Sequence, residues 1–122
     1  LEFHAGTLTD TAESTVELIQ TAGADNLRTY WQTSAGKSRD ENLVDIRALK
    51  GCLSNLHCHH VPGGRRSPLS EGEAEWVTYL RTAAGERADR WALIEFVEGD
   101  APEALMRDAA ALTGWMAQLS IG

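Results

Sequence analysis

Asn55-Leu56-His57-Cys58-His59-His60-Val61-Pro62-Gly63-Gly64-Arg65-Arg66 is the stretch on which the reading of the whole chain turns. It reads as a short strand that ends in a histidine cluster and runs into a Pro/Gly/Arg loop. Strand side chains alternate faces, so Asn55, His57 and His59 point one way and Leu56 and Cys58 the other. A solvent-facing strand with one buried face gives the same pattern. Three other short segments repeat it, however, each with a polar residue near its end.

Working outward, each such segment is followed by a loop and a helical pattern. Leu1-Glu2-Phe3-His4 sets Leu1 and Phe3 against Glu2 and His4. Asp10 with Glu13 then makes a capping-box-like start for a helix carrying Ala12, Val16 and Ile19 and stopping at Gly23. Leu27 to Gln32 places Leu27, Thr29 and Trp31 opposite Arg28, Tyr30 and Gln32. Ser38 and Glu41 form the next capping box, Leu43, Ile46 and Leu49 the buried stripe, and Gly51 the stop. After the histidine stretch, Ser70-Glu71-Gly72-Glu73 predicts a third helix burying Trp76, Val77, Leu80 and Ala83 or Ala84 and ending at Gly85. Ala92, Ile94 and Phe96 alternate with Leu93, Glu95 and Val97. Asp100-Ala101-Pro102-Glu103 then opens a last helix with Leu105, Ala109, Leu112, Trp115, Met116 and Leu119.

Composition bounds the possibilities. At 122 residues, 43% apolar and 24% charged, the chain has the make-up of one soluble globular domain with a modest core. No apolar run approaches the roughly 20 residues that span a bilayer, and no signal peptide opens it, so the expected location is the cytoplasm. A formal charge of −7 with only Arg65-Arg66 clustered argues against a nucleic-acid partner. Cys52 and Cys58 are six residues apart, beyond the roughly 7 Å reach of a disulfide at strand spacing, and read as buried free thiols.

The fold class is α/β, built from (β/α) repeats. Four βα units in 122 residues average about 30 residues each, the repeat length of an eightfold barrel. A doubly wound sheet would bury both strand faces and show near-continuous apolar strands, whereas these strands are polar on one side. A barrel mouth accommodates such residues at the C-terminal strand ends. Glu2, Gln32, His57 and Glu95 gather there. Two carboxylates, an imidazole and an amide oxygen suit a divalent cation such as Mn²⁺, Mg²⁺, Co²⁺ or Zn²⁺; pairing of the inward Glu residues with Arg28 or Arg65 is the alternative. His4 and Tyr30 are placed to line the pocket, Trp31 faces the helices, and Trp76, Trp91 and Trp115 read as packing residues.

Leu-Glu-Phe-His at 1–4, Leu-His-Cys-His at 56–59 and Leu-Ile-Glu-Phe-Val at 93–97 resemble, at this spacing, the C-terminal half of the xylose isomerase-like TIM barrels, the sugar phosphate isomerase/epimerase superfamily. The resemblance implies one partial domain over residues 1–122, with a missing N-terminal half-barrel or a second copy completing it. It implies metal ligation by Glu2, Gln32, His57 and Glu95, with Glu2 and Glu95 also the acid/base pair that moves a proton through an enediolate. A carbohydrate would be the substrate, bound by Arg65 or Arg66 with His4 and His59 beside it. Gln32 stands where the family has Asp, and Ala35 where a His commonly follows. A degenerate barrel that binds a small polar ligand without turnover is therefore a second reading. An abasic-site endonuclease-like barrel is a third, lacking the extra His and Asp ligands and the basic face it needs. Four strands alone do not close a barrel, so the isolated 122 residues are expected to show no turnover.

Overall fold

Small hydroxyl residues set where the first two helices begin. In this computed structural model, which describes residues 1–84 and 90–120, Ser38 Oγ accepts from the Glu41 N–H at 3.3 Å and Glu41 Oε2 accepts from the Ser38 N–H at 2.7 Å. That closed capping box starts helix α2 (Arg39–Leu49) as the sequence predicts. Helix α1 (Ala12–Ala22) opens one residue later than Asp10 would place it: Thr11 is the cap, and Ser14 reciprocates. Gly23 ends it at φ 62°, the left-handed turn that glycine adopts without steric cost.

Helix α3 (Glu73–Ala83) departs from expectation at its start. Ser70 lies inside a 3₁₀ turn, Leu69–Gly72, and the cap position is Gly72, which offers no side-chain bond. The histidine stretch supplies the reason. A Cβ on Gly72 would sit 2.6 Å from His60 Nδ1, so glycine is what lets this ring lie against the helix start. The stop expected at Gly85 lies outside the described residues. Helix α4 (Pro102–Ser120) begins at its proline, which fits the first turn because its missing N–H would go unpaired there anyway.

Three strands, β1 (Thr29–Trp31), β2 (Leu53–Cys58) and β3 (Ala92–Ile94), form a parallel sheet in sequential order. Leu56 pairs with Ala92 and Cys58 with Ile94, whereas Thr29 pairs with Leu53 and Trp31 with Leu56. Two steps along β1 therefore match three along β2. This irregularity turns both Leu53 and Leu56 into the core despite their odd spacing. Residues 1–3 lie along the outer edge of β1 without forming a regular strand. The Leu1 amine donates to Arg28 O at 2.6 Å and Leu1 O accepts from Tyr30 N at 3.1 Å, the pattern of one parallel bridge.

Crossovers of a single hand between neighbouring parallel strands return each helix to the same side of the sheet. Accordingly α2 packs on both α1 and α3, and α3 meets α4. Thr29, Trp31, Leu53, Leu56 and Cys58 are buried against this helical layer with Ile46, Leu49, Trp76, Leu80 and Leu112. The rings of Trp31, Trp76 and Tyr79 meet edge-on at 5.3 to 6.1 Å. Truncating a fully buried Trp31 to alanine would cost about 3–5 kcal/mol.

Two expectations about packing change. The buried stripe of α4 is Ala104, Asp108, Leu112 and Trp115, while Leu105 and Met116 face outward. Asp108 explains the rotation, since its carboxylate accepts from the buried Leu69 N–H at 3.1 Å and from Arg107 Nε at 3.0 Å. Trp76 and Trp115 are core residues, but Trp91 is 71% exposed: it sits just before β3, at its N-terminal end, where its backbone N–H is taken up by Asn55 Oδ1. Cys52 and Cys58 are both free, the first half-buried and the second buried. No helix among the described residues is long and apolar enough to cross a membrane.

Candidate functional site

Alternation sends Tyr30 and His57 to the sheet face away from the helices, and their rings stack there at 3.9 Å with 9° between planes. His57 Nδ1 lies 3.4 Å from Glu95 Oε2, an imidazole–carboxylate pair carried by β2 and by the residue that follows β3, through the parallel register that sets His57 beside Leu93. Tyr30 connects this pair to the first segment. Its pKa is pushed up to about 12, first by burial, then by the hydrogen bond of its hydroxyl with Glu2 and by the charges of Glu2 and Glu95. At neutral pH the phenol keeps its proton, with the Glu2 carboxylate nearby. Glu2, Tyr30, His57 and Glu95 thus form one polar cluster.

A second locus lies beyond the C-terminal strand ends, where open α/β sheets and barrels carry ligands. It is a cavity of about 740 Å³ whose wall includes Gln32, Lys37, His59, Arg66, Tyr79 and Phe96. The loops after β1 and β2 supply most of it, together with the start of α3. Gln32 is 6% exposed; its Nε2 donates to Phe3 O at 3.1 Å, and its Oε1 has no partner. His59 is equally enclosed. Its carbonyl accepts from Trp76 Nε1, its ring meets Phe96 edge-on at 5.4 Å, and its Nδ1 has no partner. Burial lowers the His59 pKa, Glu95 opposes that shift, and His57 and His60 reinforce it.

Arg66 crosses from the β2–α3 loop to the β3–α4 loop. Its guanidinium lies 5.1 Å from the centre of the Phe96 ring and bonds the Asp100 carboxylate. Phe96 and Asp100 hold φ of 54° and 52°, a left-handed conformation costing non-glycine residues about 1–2 kcal/mol each. Strain of that kind persists where surrounding contacts enforce it, and here it aims Phe96 between His59 and Arg66.

The residues singled out from sequence therefore fall into two groups. Glu2, His57 and Glu95 belong to the polar cluster; Gln32, His4, His59 and Arg66 line the cavity; Arg65 is exposed and lines neither. His4 Nδ1 is 2.7 Å from the Ala5 carbonyl. Lys37, Arg39, Glu75 and Tyr79 line the cavity and were not foreseen. The signal for Lys37 was its place in Gly36-Lys37-Ser38, between a strand end and a capped helix start.

In kind, the donors fit a divalent ion, and the unpartnered buried Gln32 Oε1 has the character of a ligand atom awaiting a cation or a donor. In position they fall short of a set. Among the described residues no three of His, Cys, Asp and Glu converge as a metal-holding group.

Compared with known proteins, the chain matches no family model, no curated protein and no solved structure.

Proposed function

We propose that this chain is the C-terminal half of a xylose isomerase-like barrel and acts, within the completed barrel, as an isomerase or epimerase of a sugar, sugar phosphate or polyol. The observation that carries the reading is the cluster of Glu2, Tyr30, His57 and Glu95 on the sheet face opposite the helices. In a closed barrel that face would line the interior. The roles follow from the chemistry of each group. Glu95, with Oε2 beside His57 Nδ1, would take a proton from the carbon next to a carbonyl, and Glu2, with the Tyr30 hydroxyl on its carboxylate, would return one. His57 would orient Glu95, while Arg66 and His59 would contact substrate at the cavity wall. A divalent ion would supply Lewis-acid stabilisation of the enediolate; Glu2, His57 and Glu95 would hold it once a closed barrel draws them together, Gln32 lying apart on the cavity wall.

The test is solvent exchange. A protein carrying this stretch in a completed barrel, incubated with aldoses and ketoses in D₂O, should wash deuterium into the carbon beside the carbonyl. Glu95→Gln should abolish the exchange, and one equivalent of divalent ion should be present in the parent and lost in the variant. Exchange that survives Glu95→Gln would refute the assignment.

One observation favours a second reading. Gln32 is tied to Phe3 O through its amide nitrogen and carries no charge, as suits a barrel that binds a small polar ligand without turning it over. Absence of both metal and exchange, with ligand binding retained, would support that reading instead.

A further inference from the structure

The helical layer has a hollow of its own on the solvent side. Between α1 and α2 lies a groove of about 650 Å³, floored by Val16, Val44 and Ala48 and rimmed by Glu13, Glu17 and Asp45. Val16 is half-buried and packs on the core, whereas Val44, in mid-helix, is 60% exposed. Glu13, Val16 and Glu17 follow one another at i, i+3 and i+4, so a single face of α1 forms one wall. Glu13 suits the first turn of a helix, but Glu17, one turn on, sets a like charge beside it, which works against the helix. Neither carboxylate has a partner among the described residues. Asp45 differs, since Lys37 Nζ lies 2.5 Å from its Oδ2 and already neutralises it. No Lys or Arg is among the described residues that line the groove.

We propose that this groove docks a basic amphipathic helix of another protein, whose apolar stripe covers Val16, Val44 and Ala48 and whose Lys or Arg side chains pair with Glu13 and Glu17. Shape selects a helix, because two helices side by side leave a channel that takes the ridge of a third, read as anchors at i, i+3, i+4 and i+7. Charge selects a basic one: cations set against Glu13 and Glu17 complete both carboxylates and relieve their mutual repulsion. The same negative rim disfavours an anionic membrane surface, and it disfavours a second copy of a chain whose net charge is −7. Further βα units would extend the helical layer beyond α1 or α4, its two ends, and leave the groove open. The inference therefore stands apart from the isomerase reading.

The experiment uses the 122-residue chain and a fluorescein-labelled peptide of about four helical turns, with leucine at i, i+3, i+4 and i+7 and lysine between, titrated by fluorescence anisotropy. The peptide should bind, shift the backbone amide signals of Val16 and Val44, and weaken as salt is added; its counterpart with glutamate for lysine should not bind. Glu13→Gln combined with Glu17→Gln should weaken binding about two- to tenfold, the worth of two exposed ion pairs. Val44→Ser, at an exposed position, should weaken it about fivefold with the circular dichroism spectrum unchanged. Glu71→Gln combined with Glu103→Gln removes the same charge elsewhere and should leave binding as it is. No binding by the lysine peptide, undiminished binding in the Glu13/Glu17 double variant, or an equal loss in the Glu71/Glu103 one would overturn the proposal. So would sedimentation showing that the parent dimerises and that Val44→Ser abolishes the dimer, which would give the groove to a second copy.

Discussion

Tyr30 offers the sharpest test of whether the polar cluster is assembled as described. Its pKa of about 12, against an ordinary 10.0, arises from burial, from its bond with Glu2 and from the charges of Glu2 and Glu95, in that order. A folded-state pKa raised above the unfolded one favours the protonated fold. The resulting stability is fully present below pH 10 and is lost as pH rises from 10 to about 12. Two pH units correspond nominally to about 2.7 kcal/mol. The ring keeps one edge in water, and screening there reduces the usable part to about 1 kcal/mol. Absorbance at 295 nm, recorded with far-ultraviolet circular dichroism to mark unfolding, should show both tyrosines of the folded protein titrating above their ordinary range, Tyr30 the later, because Tyr79 is also raised, chiefly by burial. Tyr30→Phe should remove the later step. Glu2→Gln should bring the Tyr30 midpoint down more than Glu95→Gln does, since Glu2 contributes a hydrogen bond as well as a charge. A tyrosine that titrates near 10 in the parent and vanishes in Tyr30→Phe would show that Glu2 and Glu95 do not meet around this phenol.

Four further outcomes are expected. Ser38→Ala removes one half of the α2 capping box and should lower stability by about 1 kcal/mol, a melting shift of about 4 °C for a chain of this size by calorimetry. Asp108→Ala strands the buried Leu69 N–H and should cost about 1–3 kcal/mol in denaturant unfolding; Asp108→Asn, which keeps an acceptor, should cost less. His59 has a lowered pKa, so its contribution is complete above its ordinary pKa and lost as pH falls through the lowered one; its ring proton resonances should titrate at lower pH than an exposed histidine's. The Cys58 thiol, raised to about 12 by burial, should resist a thiol reagent in the folded protein and react only after unfolding, whereas half-buried Cys52 should react first.

What the sequence revealed and what it hid divide along a physical line. Features determined within a few residues were readable: the Ser38–Glu41 box, the glycine stop at Gly23, the alternation that sends Thr29 and Trp31 under the helices and Tyr30 away from them. Features fixed by a distant partner were not. The face of α4 is set by Asp108 reaching Leu69, which rotates Leu105 and Met116 to the surface, and no spacing rule within the helix shows that. The start of α3 was misplaced because His60, twelve positions back, occupies the space where a cap side chain would stand. The ladder irregularity between β1 and β2 equally belongs to a pair of strands. At the site, the strand parity behind His57 was legible, but not that the Gln32 amide nitrogen ties down the Phe3 carbonyl while its oxygen stays unpartnered. Lys37 escaped notice because a loop lysine has no periodicity.

A parallel sheet normally carries cover on both faces, because its strands pay for pairing with buried side chains on each side. Here one face lies under four helices, and the other presents the Tyr30–His57 stack, with the side chains of His57 and Glu95 still 22% and 29% exposed. If further βα units closed this face, the remaining water would leave the cluster, and the falling local dielectric would act on its members unequally. The His57–Glu95 pair would tighten, being a charge-assisted contact already formed. Unpartnered atoms gain nothing from that change. Gln32 Oε1 and His59 Nδ1 would become more costly to leave bare, and so more avid for a hydroxyl or a cation. Closure of the sheet would therefore organise the polar cluster and prime the cavity beside it in the same step, and the open three-stranded sheet should show the geometry of the first without the affinity of the second.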